Sequence, residues 1–158
     1  MESVCYYDYP IGTIGIAEEN GAVTRVFYAD AKAPKAHANA ETPLIKKAAV
    51  QLGEYFGGTR KQFDLPLSLR GTDFQRAVWA ALISVPFGET RSYKDIAVQI
   101  GNPKACRAVG GANHRNPIMI IVPCHRIVGH DGGLGGYACG QAVKRGLLGL
   151  ENAFYAVP

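Results

Sequence analysis

The sequence predicts an α+β protein with a small N-terminal α/β domain over residues 1–70 and a mainly helical domain over residues 71–158. Two observations predict this division. Short apolar stretches separated by turn signals extend to Tyr28 and are followed by one helix, whereas helix caps and apolar helical faces dominate after Gly71. The chain has 158 residues, of which 47% are hydrophobic and 19% charged, so it is long enough for two small domains.

The N-terminal domain is predicted to contain a three-stranded sheet and a helix. Its strand-like stretches are separated by turn signals, and they span Cys5 to Tyr9, Thr13 to Ala17 and Ala22 to Tyr28. Residues 29–40 are rich in Ala, Lys, Pro and Asn and predict a surface loop. Thr42-Pro43 then opens a helix that ends at Phe56, and residues 63–69 are again extended.

The second domain is predicted to contain a helix-turn-helix. Its first three predicted elements are a helix capped by Thr72 or Asp73, a helix over Tyr93 to Gln99 capped by Ser92, and a helix from Pro103 to Asn113. A buried apolar strand over residues 118–122 and a glycine-rich loop over residues 129–140 follow, and a last helix runs from Gln141 to Leu150. The tight turn at residues 101–103 joins two short helices, which is the helix-turn-helix pattern. An ordinary pair of core helices is the structural alternative.

Positive charge is concentrated in one part of a chain whose net charge is +4. Between residues 91 and 126 the basic side chains are opposed only by Asp95, and they are Arg91, Lys94, Lys104, Arg107, Arg115 and Arg126. This clustering permits a polyanionic partner without demonstrating one. No apolar run reaches the roughly 20 residues of a membrane span. The first residues lack a signal-peptide pattern, so we expect no membrane partner and a cytosolic or nuclear location.

One of the four cysteines has neighbours suited to chemistry. The cysteines are Cys5, Cys106, Cys124 and Cys139, and their spacing indicates free thiols in a reducing compartment. A thiol is a good nucleophile only as a thiolate, and Cys124 is followed by His125 and Arg126. Because adjacent residues point in different directions, His125 is expected to reach Cys124 through a bridging water. A buried cysteine beside a surface histidine is the structural alternative.

The third predicted helix of the second domain is poor in large side chains. It carries Lys104 and Arg107 among Ala105, Ala108, Gly110, Gly111 and Ala112. Such a helix packs weakly, but it can approach another backbone closely, such as a DNA strand.

Motifs along the second domain resemble those of a known family. They are residues 74–75, 78–79, 86–90, 92–93, 96–97, 105–110, 116–117, 123–126, 136–137, 140, 144, 147–148 and 151. In this order they resemble the methylated-DNA–protein-cysteine methyltransferases, also called 6-O-alkylguanine-DNA alkyltransferases. Pro123-Cys124-His125-Arg126 after an apolar strand is the family signature. The N-terminal third agrees more loosely, through residues 10–12 and 54–58.

The resemblance implies a DNA repair function. It implies a ribonuclease H-like N-terminal domain and a protein that flips an alkylated guanine out of duplex DNA. The alkyl group then moves irreversibly from guanine O⁶ to Cys124, in one turnover and without a cofactor. The implied partner is double-stranded DNA containing 6-O-alkylguanine, with 4-O-alkylthymine as a second candidate lesion, and the implied state is a monomer.

The resemblance also assigns catalytic roles to matching residues. Cys124 is the implied alkyl acceptor, His125 the base that draws its proton through water, and Glu151 the group that orients His125. Asn116 is implied to pin the active-site turn, although an asparagine before proline is by itself a common turn residue. Tyr93 is the implied donor that polarises the guanine ring.

Further residues are implied in DNA binding and in the substrate pocket. Arg107 matches the arginine finger that fills the gap left by the extruded base. The other expected DNA-binding residues are Lys104, Ser92, Asn113 and Arg115. The expected pocket residues are Tyr93, Tyr137, Ala138, Cys139 and Ile127. Cys139 stands where the family often has glycine, so we hypothesise that it narrows the pocket against bulky alkyl groups.

A metal site is not expected. The N-terminal zinc ligands of some family members are not matched, since Cys5 is the only nearby thiol and His37 lies in a variable loop. A metal held by Cys124, His125, His130 and Cys139 is conceivable, but it would quench the nucleophile. Three other functions stay open: a binding-only relative, a helix-turn-helix regulator and a cysteine hydrolase.

Overall fold

The computed structural model describes residues 2–29, 40–129, 133–134 and 140–151. They form two compact units. Unit 1 comprises the described residues up to Arg70 together with Pro117–Ile121, and unit 2 comprises Gly71–Asn116 and the described residues from Val122 onward. In these ranges, no helix combines the length and the apolar character that crossing a membrane requires.

Unit 1 contains a three-stranded antiparallel sheet in the order β1-β2-β3. The strands are β1 (Ser3–Tyr9), β2 (Gly12–Glu19) and β3 (Ala22–Ala29). Asn20 and Gly21 both have positive φ, 53° and 78°, as the tight turn between β2 and β3 requires. The three strand predictions are confirmed, and each strand is longer than predicted.

One helix covers this sheet. The helix α1 (Pro43–Phe56) begins after Thr42, whose side chain accepts a hydrogen bond from the Ile45 amide at 3.1 Å. Its buried face includes Ile45, Leu52 and Tyr55, and it packs against β1 and β2. The predicted start and end of this helix are confirmed.

The apolar run at residues 118–122 is buried, but the prediction of a strand there is wrong. Ile118 makes a single parallel bridge to Val26 of β3, and the Met119 amide donates to the Val26 carbonyl at 3.0 Å. The chain then turns, with Ile120 at a φ of 70°. A left-handed backbone is costly for a branched side chain, so the surrounding packing must impose this turn.

Unit 2 is built around three helices. They are α2 (Asp73–Ile83), α3 (Tyr93–Gln99) and α4 (Cys106–His114). Reciprocal hydrogen bonds between Thr72 and Gln75 cap α2, and those between Ser92 and Asp95 cap α3. The buried Trp79 indole donates to the Ala112 carbonyl at 2.9 Å and joins α2 to α4.

The helix-turn-helix is present, but its second helix starts later than predicted. The turn after α3 contains Gly101 at a φ of 80°, and the Ala105 amide donates to the Asn102 carbonyl at 3.0 Å. Residues 103–105 therefore belong to this turn, and α4 begins at Cys106. Ala105 offers no side-chain cap, so the sequence held no local signal for this start.

A short parallel ladder was not predicted. The strands β4 (Arg91–Ser92) and β5 (Ile127–Val128) pair in register and bring the start of α3 beside the segment that follows Cys124. The last helix, α5 (Gln141–Leu150), is confirmed. Most of the loops predicted over residues 29–40 and 129–140 lies outside the described residues.

Candidate active site

Cys124 is the first residue of a 3₁₀ helix, Cys124–Arg126, and is 5% exposed. Two amide side chains hold the backbone around it. Asn116 Nδ2 donates to the Val122 carbonyl at 2.7 Å, and Asn113 Nδ2 donates to the Cys124 carbonyl at 3.3 Å. The main chain on both sides of Pro123 is therefore anchored to the end of α4 and the residues that follow it.

His125 and Glu151 form a fully buried pair. His125 Nε2 lies 2.6 Å from Glu151 Oε2, and both side chains have no exposure to solvent. Because a carboxylate only accepts hydrogen bonds, Nε2 carries the ring proton when His125 is neutral. Nδ1 is then the lone-pair nitrogen, and it is buried without a hydrogen-bond partner among the described residues.

Several neighbours set the pKa of His125. Burial lowers this pKa most, and the hydrogen bond and charge of Glu151 oppose that effect. The positive charges of Arg126 and Lys144 lower it further. The net direction is downward, so His125 is neutral at pH 7 with Nδ1 free to accept a proton.

Arg126 also binds Glu151. Its Nε and Nη2 atoms donate to the two carboxylate oxygens at 2.8 and 3.2 Å, and its Nη1 donates to the Val85 carbonyl at 2.7 Å. The guanidinium lies 5.8 Å from the ring centre of Phe87. The Gly88 amide donates to Glu151 Oε1 at 3.3 Å. The sequence indicated Arg126 only as a basic neighbour of Cys124 and not as a partner of Glu151.

Lys144 is a second buried cation near the cysteine. It is fully buried, and its Nζ donates to the Ile127 carbonyl at 2.5 Å and to the Leu134 carbonyl. Burial lowers the pKa of Lys144 to about 8, while the negative charge of a Cys124 thiolate raises it. A cation is thus held close enough to Cys124 to favour the ionised sulfur.

The depressed pKa of Lys144 predicts how stability depends on pH. The folded pKa is about 8 and the unfolded one 10.5, so unfolding takes up a proton between these values and this contribution to stability rises with pH. The difference in unfolding free energy between the wild type and Lys144→Met should therefore change with pH, in favour of the wild type, by up to about 1.4 kcal/mol per pH unit in this window. Urea denaturation at pH 7, 8 and 9 measures the difference, with the exposed Lys46→Met as control. A difference that stays constant with pH would contradict the assignment.

A cleft of about 610 Å³ opens beside Tyr93, whose pKa responds to the charge of Cys124. It is lined by Tyr93, Lys94, Cys106, Arg107, Gly110 and Gly129. Burial and the charge of Cys124 raise the pKa of Tyr93, so its hydroxyl stays protonated at neutral pH and can donate a hydrogen bond. The cleft thus places a phenol donor and a guanidinium within reach of one bound molecule.

Comparison with known proteins identifies the family. The model of the ribonuclease-like domain of 6-O-methylguanine DNA methyltransferase matches residues 4–69, and the model of its DNA-binding domain matches residues 73–153. The chain belongs to the 6-O-methylguanine DNA methyltransferase family.

Individual members of this methyltransferase family are similar over most of their length. The constitutive methylated-DNA–protein-cysteine methyltransferase of Bacillus subtilis is 48% identical over 153 residues, which cover 92% of this chain and 93% of that protein. The methylated-DNA–protein-cysteine methyltransferase of Methanosarcina barkeri is 58% identical over 109 residues, 69% of each chain.

Solved structures of family members have the same fold. The Mycobacterium tuberculosis O6-methylguanine methyltransferase has a TM-score of 0.88 at 45% identity, over 96% of this chain and 93% of that one. The Mycobacterium tuberculosis OGT in complex with DNA has a TM-score of 0.87 at 46% identity, over 95% and 92%. The predicted fold class and the predicted family are both confirmed.

The structure brings together several residues that the family resemblance had selected. His125 and Glu151 are in contact, and Asn116 holds the backbone just before Cys124. Tyr93 lies in the cleft, and its pKa responds to the charge of Cys124. Arg107, Lys104 and Arg115 are exposed, while the Ser92 hydroxyl is engaged as the cap of α3.

Two residues are placed differently from the expectation. Asn113 was expected to bind DNA, but it is buried and its amide holds the Cys124 carbonyl, because it lies on the inner face of α4. Ile127 was expected in the substrate pocket, but its side chain is fully buried, its amide donates to the Cys124 carbonyl and its carbonyl accepts from Lys144. The other expected pocket residues, Tyr137, Ala138 and Cys139, lie outside the described residues, as does His130.

Proposed function

We propose that this protein repairs alkylated DNA by moving the alkyl group of a flipped 6-O-alkylguanine irreversibly onto its own Cys124. The observation that carries the proposal is the buried His125–Glu151 pair next to Cys124, whose charge acts on Tyr93 in the wall of a cleft that Arg107 also lines. This arrangement supplies a nucleophile, a base with an available nitrogen and a donor for the leaving group.

The transfer needs only groups that the protein and the lesion supply. His125 Nδ1 takes the Cys124 proton through a bridging water, and the thiolate attacks the sp³ carbon attached to guanine O⁶. The S–C bond forms as the C–O⁶ bond breaks, the electron pair stays on guanine, and the leaving base regains a proton in place of the one that His125 took from Cys124. The thioether product cannot be reduced back to a thiol, so each chain reacts once.

Tyr93 and Asn116 support this step. The Tyr93 hydroxyl, kept protonated by its raised pKa, donates to a ring nitrogen of guanine and stabilises the charge that develops on the leaving base. Asn116 fixes the Val122 carbonyl and thereby the direction in which Cys124 points. Both effects orient groups before the reaction begins.

The helix α4 forms the DNA-binding face. Lys104 is exposed in the turn before this helix, Arg107 is exposed in its first turn, and Arg115 is exposed just after its C-terminal end. The space in front of Gly111 is open. Small residues allow this helix to approach a DNA backbone, and Arg107 fills the gap left by the extruded nucleotide. The Mycobacterium tuberculosis relative has been solved in complex with DNA, which supports DNA as the partner.

Arg107 and Lys104 are expected to act differently. Arg107→Ala should slow methyl transfer from duplex DNA by about 10–100-fold, because no side chain then fills the gap left by the extruded nucleotide. Transfer from the free base 6-O-methylguanine should change little. Lys104→Ala should instead weaken DNA binding uniformly and lower its salt slope by about one. Single-turnover kinetics and binding titrations at several salt concentrations measure both effects. Equal losses on duplex and free base for Arg107→Ala would contradict its role in extrusion.

The proposal also covers location and the form of the protein. The described cysteines Cys5, Cys106 and Cys124 form no disulfides, which suits a reducing compartment such as the cytosol or, in a eukaryote, the nucleus. The protein acts as a monomer on double-stranded DNA, with 4-O-alkylthymine as a second candidate lesion.

One experiment separates alkyl transfer from the alternatives. The protein is incubated with duplex DNA whose 6-O-methylguanine carries a radiolabelled methyl group, and label bound to protein is counted at saturation. Alkyl transfer gives one equivalent per chain. A binding-only module or a helix-turn-helix regulator gives none, and a cysteine hydrolase releases label over many turnovers.

A further inference from the structure

We propose that Arg126 is a positioning residue that keeps His125 neutral, and therefore able to act as a base, by neutralising Glu151. The inference rests on the proposed function and deepens it. Glu151 alone would favour a doubly protonated imidazole, which has no lone pair left to accept the Cys124 proton. Arg126 removes that preference while Glu151 still orients the ring.

His125 and Arg126 both bind the Glu151 carboxylate and therefore share its single negative charge. His125 donates to Oε2 alone, whereas Arg126 donates to both carboxylate oxygens. The Glu151 side chain is fully buried and that of Arg126 is 7% exposed, so water screens this pair weakly. The bidentate geometry makes Arg126 the principal counter-charge of Glu151.

The positive charges near His125 both lower its pKa. Arg126 lies on its own 3₁₀ helix, and Lys144 lies on α5. The helix α2, which also packs against the 3₁₀ helix, carries Asp73 and Arg76, and these pair with each other at the surface. Glu151 is the carboxylate that raises the pKa of His125, and Arg126 is a cation hydrogen-bonded to that carboxylate.

Arg126 is itself held by the chain that leads out of α2. Its Nη1 donates to the Val85 carbonyl, its guanidinium faces Phe87, and the Gly88 amide joins Glu151. A planar guanidinium satisfies the carboxylate and the carbonyl together, which an ammonium group does less well. Residues 85–88 thus fix the orientation of Arg126 and, through Glu151, that of the imidazole.

The test follows the protonation of His125 by NMR in protein labelled with ¹⁵N-histidine. In the wild type we expect a neutral ring protonated at Nε2 across pH 6–8. In Arg126→Met the pKa of His125 should rise, so that the ring is charged at neutral pH. Arg126→Lys keeps a positive charge and should leave the titration close to that of the wild type. Arg76→Met, which breaks an exposed pair in the same unit, is the matched control.

Methyl-transfer kinetics give the second readout. The rate of Arg126→Met relative to wild type should be lowest at acidic pH, by about 100-fold, and should recover to within about tenfold at pH 9, where the imidazole loses its extra proton. A merely structural role would lower the rate by the same factor at every pH. If Arg126→Met does not fold, Arg126→Gln, which keeps hydrogen-bond donors without the charge, is used in both measurements.

The outcomes separate this inference from the function on which it rests. An unchanged His125 titration in the folded, uncharged variant would overturn the role of Arg126, even if the wild type transfers methyl groups normally. A wild type that fails to methylate Cys124 would overturn the proposed function, while the NMR titration would still report on the three buried side chains.

Discussion

Replacing Cys124 with serine is expected to slow removal of the methyl group by at least about 10⁴-fold. A serine hydroxyl is far less acidic than a thiol, and one neutral imidazole cannot ionise it to a useful extent. Binding of the methylated duplex should remain within a few-fold of wild type, because it depends on α4 and the exposed Arg107. The loss thus falls on chemistry and leaves affinity intact.

Single-turnover kinetics with saturating protein measure the chemical step of this variant, and fluorescence anisotropy measures its affinity for DNA. Cys5→Ser is the matched control, since Cys5 lies on β1 in unit 1 and is not in a disulfide. A parallel loss of binding and rate in Cys124→Ser would show a folding defect. A preserved rate would remove the cysteine from the mechanism.

Replacing Glu151 with glutamine is expected to produce the second large effect, on stability. The change leaves Arg126 as a buried cation without its carboxylate, and removing one partner of a buried pair costs about 3–5 kcal/mol. It also replaces an acceptor-only carboxylate by an amide whose NH₂ group can donate, so the tautomer of His125 is no longer fixed. Urea denaturation at pH 7 measures the loss in unfolding free energy.

The double variant Glu151→Gln/Arg126→Met tests the cause of that loss. Because the second change removes the stranded charge, the double variant should be more stable than the sum of the two single effects implies, by about 1–3 kcal/mol. Strict additivity would mean that the two side chains do not interact. The matched exposed pair, Arg76 and Asp73, should show coupling of about 0–1 kcal/mol.

Local signals in the sequence predicted most of the elements. The Asn20-Gly21 turn, the Thr42 cap and the Ser92 cap each act through neighbouring backbone groups, so the residues themselves indicate the structure. The start of α4 was misplaced because Pro103 is common at a first helical turn, but here it lies in the turn before the helix.

Elements that depend on distant partners were not predictable in this way. The strands β4 and β5 have two residues each, too few for any periodic pattern. The run at residues 118–122 is apolar throughout, and its single bridge to Val26 and the turn at Ile120 follow from packing in unit 1. A continuous apolar run does not by itself distinguish a strand from a buried turn.

The candidate site was predictable in part, through the family resemblance. This resemblance indicated Cys124, His125 and Glu151, although Glu151 lies 26 residues along the sequence from His125, which it contacts. Arg126 and Lys144 belonged to the matching motifs, but sequence position does not show that a basic side chain points inward. Both were missed because basic residues are usually exposed, and only the structure shows their buried partners.

Mass mapping of the protein after reaction tests the central claim most directly. The wild type is incubated with excess duplex DNA containing 6-O-methylguanine, digested, and its cysteine-containing peptides are weighed. We predict that the peptide containing Cys124 gains the mass of one methyl group and that the reaction stops at one methyl group per chain. The peptides that contain Cys5, Cys106 and Cys139 should be unmodified. An unmodified Cys124 peptide after the lesion has disappeared from the DNA would contradict the account.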